Sequence, residues 1–510
     1  MEFVTRYLLN RGSFFILKKV VVMIEKNGFK VFCRLTVALF VLFFAFTGCD
    51  RDDPEADKGS GTREDPFLVE TPGQLYEVRE NPDKHFRQAA DISLAEYSEG
   101  AGWDPIGDEQ TRFTGSYDGD GHRITDFSVD RPDEDYIGLF GYVEDADIEN
   151  VWLEIDEQVK GNNYVGGIAG KTSGSGSISG IWLVGPVEGS EYVGGVAGWN
   201  EFDVNTAQAV IAVLAENDYA GGLIGRNEGD ITEAAARGGA SGDSYVGGFI
   251  GWNSGNINES FAEDGAYGEN DYIGGLTGWN EGDIENCYAT GDYTGNSFVG
   301  GLAGKNKGDI TFTYTSGGYY MMSLEGHDNL GGLVGLNEGT IINSYSEVGV
   351  SAEGARAGGL VGVNEGSIEE SYASGNVEAP HSAGGLAGVN YENIINTYAT
   401  GAVDGEKKLG GLTGVNINSI SKSYATGEVS GDNEDIGRTD IGGLVGENTG
   451  EVEYSYFDME TTGQEDDEGK GIPKETSEMR EKDTYENWDF NTVWHIDEIQ
   501  GSYPYLQWQE

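Results

Sequence analysis

The 510-residue chain holds 82 glycines but only 10 prolines, which excludes a Pro/Gly-rich disordered linker and, with no glycine at every third place, a collagen. Its 31 Lys and Arg against 88 Asp and Glu give a net charge of -57, so the surface repels phosphate backbones and nucleic-acid binding is excluded. Three isolated cysteines, Cys33, Cys49 and Cys287, cannot form a disulfide framework, and the glycine excess points to many tight turns in something regular.

In chain order, the first feature is a secretory signal. Lys26, Lys30 and Arg34 precede an apolar run over residues 35–46 and the small residues Thr47 and Gly48. A basic start, a short apolar core and small residues at a cleavage point define such a signal, and the core is too short to span a bilayer comfortably. Phe46-Thr47-Gly48-Cys49 resembles the bacterial lipobox. The resemblance implies cleavage before Cys49, a diacylglycerol on its thiol and membrane attachment through that lipid. The signal is complete without residues 1–22, so translation is expected to start at Met23. Removing residues 1–48, with seven basic and two acidic side chains, takes the charge from -57 to -62. The acidic residues 49–58 read as a tether, and the expected location is the bacterial outer membrane or cell surface.

Residues 59–135 read as an N-terminal cap, with a short amphipathic helix over residues 71–80 and a hairpin turn at Asp118-Gly119-Asp120-Gly121. From residue 138 the chain repeats. Gly-Gly-(apolar)-x-Gly recurs with its second glycine at Gly167, Gly195, Gly222, Gly248, Gly275, Gly301, Gly332, Gly359, Gly385, Gly411 and Gly443. A variant at Gly138 leads the series, and the mean spacing is about 28 residues. Each unit reads as strand, turn, strand, turn, strand, with no helical periodicity. Twelve such units, stacked ~4.8 Å apart, make an all-β parallel β-helix or β-solenoid roughly 55–60 Å long. Asn200, Asn227, Asn253, Asn280 and their repeats through Asn448 suit left-handed corners and amide stacking. Tyr288, Tyr314, Tyr345, Tyr372, Tyr398, Tyr424 and Tyr456 form a second column, read as stacked rings filling or flanking the core. Cys287 takes the place of Ser344 or Ser371 and reads as a small packed residue.

Tyr192-Val193-Gly194-Gly195-Val196-Ala197-Gly198, the Asn-x-Gly turn and Ser423-Tyr424-Ala425-Thr426-Gly427 resemble the GLUG repeat of bacterial surface proteins. The likeness runs over residues 136–456, here taken as the solenoid. It implies an extracellular, adhesin-like chain, and the repeat is also found beside metallopeptidase domains that cleave immunoglobulin A. Residues 457–510 read as a C-terminal cap, helical over 475–483 and rich in aromatic side chains such as Trp488, Trp494 and Trp508.

The five histidines are scattered and form no metal-binding spacing, and acidic residues are too numerous for any pair to stand out as catalytic. No cofactor is expected, although the acidity leaves room for weak calcium binding. One column does depart from uniformity. The residue after the third glycine runs Tyr142, Lys171, Trp199, Arg226, Trp252, Trp279, Lys305 and then turns aliphatic, while the residue before the apolar-Gly-Gly triplet runs Tyr164, Tyr192, Tyr219, Tyr245, Tyr272, Phe298 before turning polar. Aromatic rings interleaved with cations suit stacking on sugars or docking a protein. The candidate ridge is therefore Trp199, Arg226, Trp252, Trp279, Lys305, Tyr192, Tyr219, Tyr245 and Tyr272. The expected function is adhesion or binding of an extracellular glycan or protein by a lipid-anchored monomer with no chemistry of its own. The alternatives are a polysaccharide lyase or hydrolase and a passive surface spacer.

Overall fold

The computed structural model describes residues 59–316, 323–431, 440–465 and 470–510, all within the compact unit Glu55–Glu510. The signal segment, Cys49 and the whole tether lie outside the described residues. The unit is an all-β parallel solenoid of about 13 turns. Parallel pairing already begins at Phe67–Val69 against His85–Gln88 and passes through Ser116–Asp118 to Asp147–Glu149. It ends with Tyr456–Asp458 against Ile472–Lys474. The ladder thus reaches into both segments expected to act as caps.

A representative coil is Ile273–Gly274, Thr277–Asn280, Ile284–Glu285, Tyr288–Thr290 and Tyr293–Thr294, five short strands where the sequence suggested three. The extra breaks are corners held by two columns of left-handed residues. One column is Tyr164, Tyr192, Tyr219, Tyr245, Tyr272 and Phe298, at φ 54–65°. The other includes Glu259, Asn286, Phe312, Asn343, Glu370, Asn396, Lys422 and Tyr454, at φ 45–55°. The repeated asparagines, expected at left-handed corners, are absent from these columns; they close strands, and those from Asn200 to Asn416 are buried.

The motif glycines also serve differently from the expectation of tight turns. Those of the Gly-Gly-x-x-Gly phrase keep ordinary φ values. A Cβ on Gly275 would lie 2.0 Å from the carbonyl oxygen of Gly301, and one on Gly274 2.0 Å from that of Thr277. Glycine is required because backbone from the same turn at Gly274, and from the adjacent coil at Gly275, approaches too closely for any side chain.

Inside, aliphatic residues stack coil on coil, as in Leu276, Leu302, Leu333, Leu360, Leu386 and Leu412, all fully buried. Beside them runs an amide chain. Each Asn Nδ2 donates to the Oδ1 of the next, from Asn200 to Asn448, over 2.8–3.0 Å, and also to the carbonyl two residues on, as from Asn227 to Gly229. Buried amides persist because each finds both partners. Cys287 is buried in a column of Ser and Thr, donating to the Glu285 carbonyl at 3.1 Å.

Pro72–Glu77 is helical, with Thr71 and Gln74 forming a capping box and Leu75 buried. The helix expected over 475–483 is instead two 3-10 turns, Glu478–Arg480 and Lys482–Thr484. Thr484 Oγ1 and Tyr485 Oη take the carbonyls of Glu478 and Met479 that a continuing helix would use. Asp118-Gly119-Asp120-Gly121 is a coil corner rather than a hairpin, since the flanking strands pair with neighbouring coils and not with each other. The last edge carries Glu447, Glu451 and Glu453, charges that discourage edge-to-edge aggregation.

Candidate functional site

The twelve-stranded sheet brings five of the nine ridge residues into one row. Trp199 is in register with Arg226, Arg226 with Trp252, Trp252 with Trp279 and Trp279 with Lys305, and Tyr142 and Lys171 extend the row upstream. All the tryptophans are half-buried. Beside the row, the rings of Tyr164, Tyr192, Tyr219, Tyr245, Tyr272 and Phe298 stack face to face, with centroids 4.7–5.2 Å apart and planes within 20°. The left-handed backbone costs each of these residues roughly 1–2 kcal/mol. Ring stacking at about 0.5–1.5 kcal/mol per pair offsets that cost. Burial raises the phenol pKa of Tyr192, Tyr219, Tyr245 and Tyr272, so the column stays neutral at physiological pH.

Cations lie against all three indoles. Lys171 Nζ sits 4.3 Å from the Trp199 ring, Arg226 Cζ 4.1 Å from Trp199 and 4.4 Å from Trp252, and Lys305 Nζ 4.4 Å from Trp279. Carboxylates hold the cations: Glu228 binds Arg226 at 2.9 Å and Glu338 binds Lys305 at 2.6 Å. Lys307, from an Asn-x-Gly turn and not foreseen in the ridge, pairs with Glu281 at 2.8 Å and lies 4.9 Å from Trp279. Its bond, with one from Trp279 Nε1, holds the Glu281 carboxyl below the usual carboxylate range.

Trp252 and Trp279 interrupt this pattern. They are register neighbours, yet no ring contact joins them among the described residues. Arg226 approaches Trp252 from the preceding coil, and Lys305 and Lys307 approach Trp279 from the following one, so among the described residues no cation bridges the two indoles. Beyond residue 305 the row turns to Leu336, Val363, Val389 and Val415. All nine sequence-predicted ridge residues therefore share one face. Among the described residues, no group of three or more His, Cys, Asp or Glu is placed to hold a metal ion, and no helix is long and apolar enough to cross a membrane.

These features define a β-solenoid repeat chain with an outward aromatic and cationic row. The chain carries the GLUG motif, matched at residues 269–294 and 353–378. Over 124 residues it is 39% identical to a protein of Evansella cellulosilytica provisionally described as a Gly-rich membrane protein, a match covering 23% of this chain and 14% of that one. Over 129 residues it is 36% identical to halomucin of Haloquadratum walsbyi, covering 23% of this chain and 1% of halomucin. The chain thus matches only a small part of either relative's length. A crystal structure from Bacteroides ovatus, provisionally described as an immunoglobulin A1 protease, aligns over 89% of this chain and 95% of its own at 15% identity with a TM-score of 0.19. A superposition at that score bears on neither fold nor chemistry.

Proposed function

We propose that this chain is a lipid-anchored contact protein of the bacterial cell surface that binds an extracellular glycan along the ridge between Trp199 and Lys305. The observation that carries the reading is the adjacent indole pair Trp252 and Trp279, which no cation bridges among the described residues and which Arg226 and Lys305 flank. Facing indoles take the apolar face of a sugar ring, and flanking charged groups hydrogen-bond its hydroxyls. The net charge of -57 favours a neutral glycan over an acidic polymer. The signal and lipobox at Cys49, together with the membrane-protein description of one relative, support placement on the envelope.

The test is a glycan-array and matrix-protein screen, with and without calcium, of the wild-type chain and a Trp199→Ala, Trp252→Ala, Trp279→Ala variant. Loss of a neutral-glycan signal in a variant with unchanged circular dichroism supports the reading. Retained binding removes the ridge from it, and signal on matrix proteins alone replaces the glycan with a protein ligand. Metabolic labelling with a radioactive fatty acid, lost in Cys49→Ala, tests the anchor.

A further inference from the structure

The C-terminal segment lies along the side of the solenoid and follows a rule. The tyrosine column from Tyr288 to Tyr456 is stacked at 4.8–5.3 Å wherever consecutive rings are paired up to Tyr424, so it turns ring edges outward. Three indoles of the segment each span two rungs. Trp508 lies 6.3 and 6.0 Å from Tyr345 and Tyr372, Trp494 6.2 and 6.1 Å from Tyr398 and Tyr424, and Trp488 6.3 and 6.1 Å from Tyr424 and Tyr456. Each Nε1–H then bonds the left-handed corner residue two places before a rung: the Glu370 carbonyl at 2.8 Å, Asn396 Oδ1 at 3.3 Å and the Tyr454 carbonyl at 2.8 Å.

The ladder continues past this segment. Phe261, Tyr288 and Tyr314 stack on in register at 4.7 and 5.3 Å, with corner residues Asn286 and Phe312 in the equivalent places. All three rings are half-buried and Phe312 is 47% exposed. We propose that this stretch, which no C-terminal indole contacts among the described residues, docks an extended peptide segment of a partner protein that carries tryptophan beside lysine or arginine. Continuity with the intramolecular interface argues for tryptophan. The rim argues for the basic neighbour: Glu259, Glu285 and Glu347 are exposed along it, while Glu263, which accepts from Tyr288 Oη at 3.5 Å, is already held by Arg237, whose guanidinium lies 4.8 Å from the Phe261 ring. Because the ring faces are used in stacking, a sugar finds no platform here, and the surface is distinct from the ridge.

The probe is a labelled peptide with the sequence of residues 502–510 and Glu510→Lys, titrated against the full chain by fluorescence anisotropy. Saturable binding is expected, about ten-fold weaker for the same peptide carrying Trp508→Ala. In the protein, Tyr314→Ala should weaken binding by a similar factor. Phe312→Asn, which places at this corner the residue found at 286, 343 and 396, should fold normally and also weaken it. No saturation, equal affinity for the Trp508→Ala peptide, unchanged affinity in Phe312→Asn, or loss of peptide binding in the ridge triple variant would each overturn the proposal.

Discussion

Arg226 lies between two indoles, its Cζ 4.1 Å from the Trp199 ring and 4.4 Å from that of Trp252, while its guanidinium binds Glu228. One residue thus joins three consecutive coils of the ridge. Replacing it with alanine removes two cation–π contacts of about 0.5–1 kcal/mol each and some packing of its stem. The expected loss is about 1–2 kcal/mol by urea unfolding, with Arg226→Met recovering the packing part. An unchanged midpoint in Arg226→Ala would show that the contacts carry no net stability.

Asn280 tests the amide chain. It accepts from Asn253 and donates to Asn306 and to the Gly282 carbonyl, so Asn280→Ala strands groups on both sides. A cost of about 2–4 kcal/mol is expected from unsatisfied buried partners. Asn448, which accepts from Asn416 but is only half-buried, should cost about half as much as alanine. Equal costs at the two positions would argue against a propagated ladder.

Cys287 interrupts a column whose hydroxyls, as at Ser344 and Ser371, donate to the carbonyl two residues back and accept the amide of the preceding coil. Burial pushes its thiol up to about 12, so alkylating reagents should leave it unmodified in the native state. Cys287→Ser should keep the unfolding free energy within about 1 kcal/mol of wild type or raise it. A large loss would mean that the sulfur packs better than a hydroxyl can bond.

The tyrosine ladder sets an alkaline limit. Burial pushes Tyr288 up to about 12 and raises Tyr314 and Tyr345 as well. The folded state therefore holds protons that the unfolded chain releases from about pH 10. Stability from these groups is complete below that pH and falls as pH rises toward 12 and beyond. Tyrosinate absorbance and circular dichroism should change together, and tyrosinate forming well before unfolding would contradict the ladder's burial.

The charge of -57 makes the fold self-repelling. Raising salt from roughly 0.01 M to roughly 1 M shortens the screening length from about 30 Å to about 3 Å. The melting temperature should rise across that range even though surface ion pairs such as Lys307 with Glu281 are weakened. A falling melting temperature would show that ion pairs outweigh repulsion.

The ridge face was legible in the sequence because a solenoid converts repeat position into spatial register. Once the repeat is aligned, Trp199, Arg226, Trp252, Trp279 and Lys305 must neighbour one another, as their strand pairing shows. What resisted reading was backbone conformation. Tyrosine is a poor guess for a left-handed corner, and only stacking on the next coil's ring offsets the strain at Tyr192 and Tyr245.

By itself the sequence determined the solenoid, its approximate coil count, the asparagine and tyrosine columns and the outward row, since all of these follow from the 28-residue spacing. Only the tertiary structure decided what lies outside that spacing. The glycines serve close backbone approach, because the Cβ collision at Gly275 comes from Gly301 on the next coil. The C-terminal indoles lie along the ladder, because Trp508 reaches Glu370 across 138 residues of chain and no repeat encodes a contact made once. That no described cation bridges Trp252 and Trp279 likewise depends on which indole Arg226 and Lys305 each contact, a choice made by side-chain packing in three dimensions.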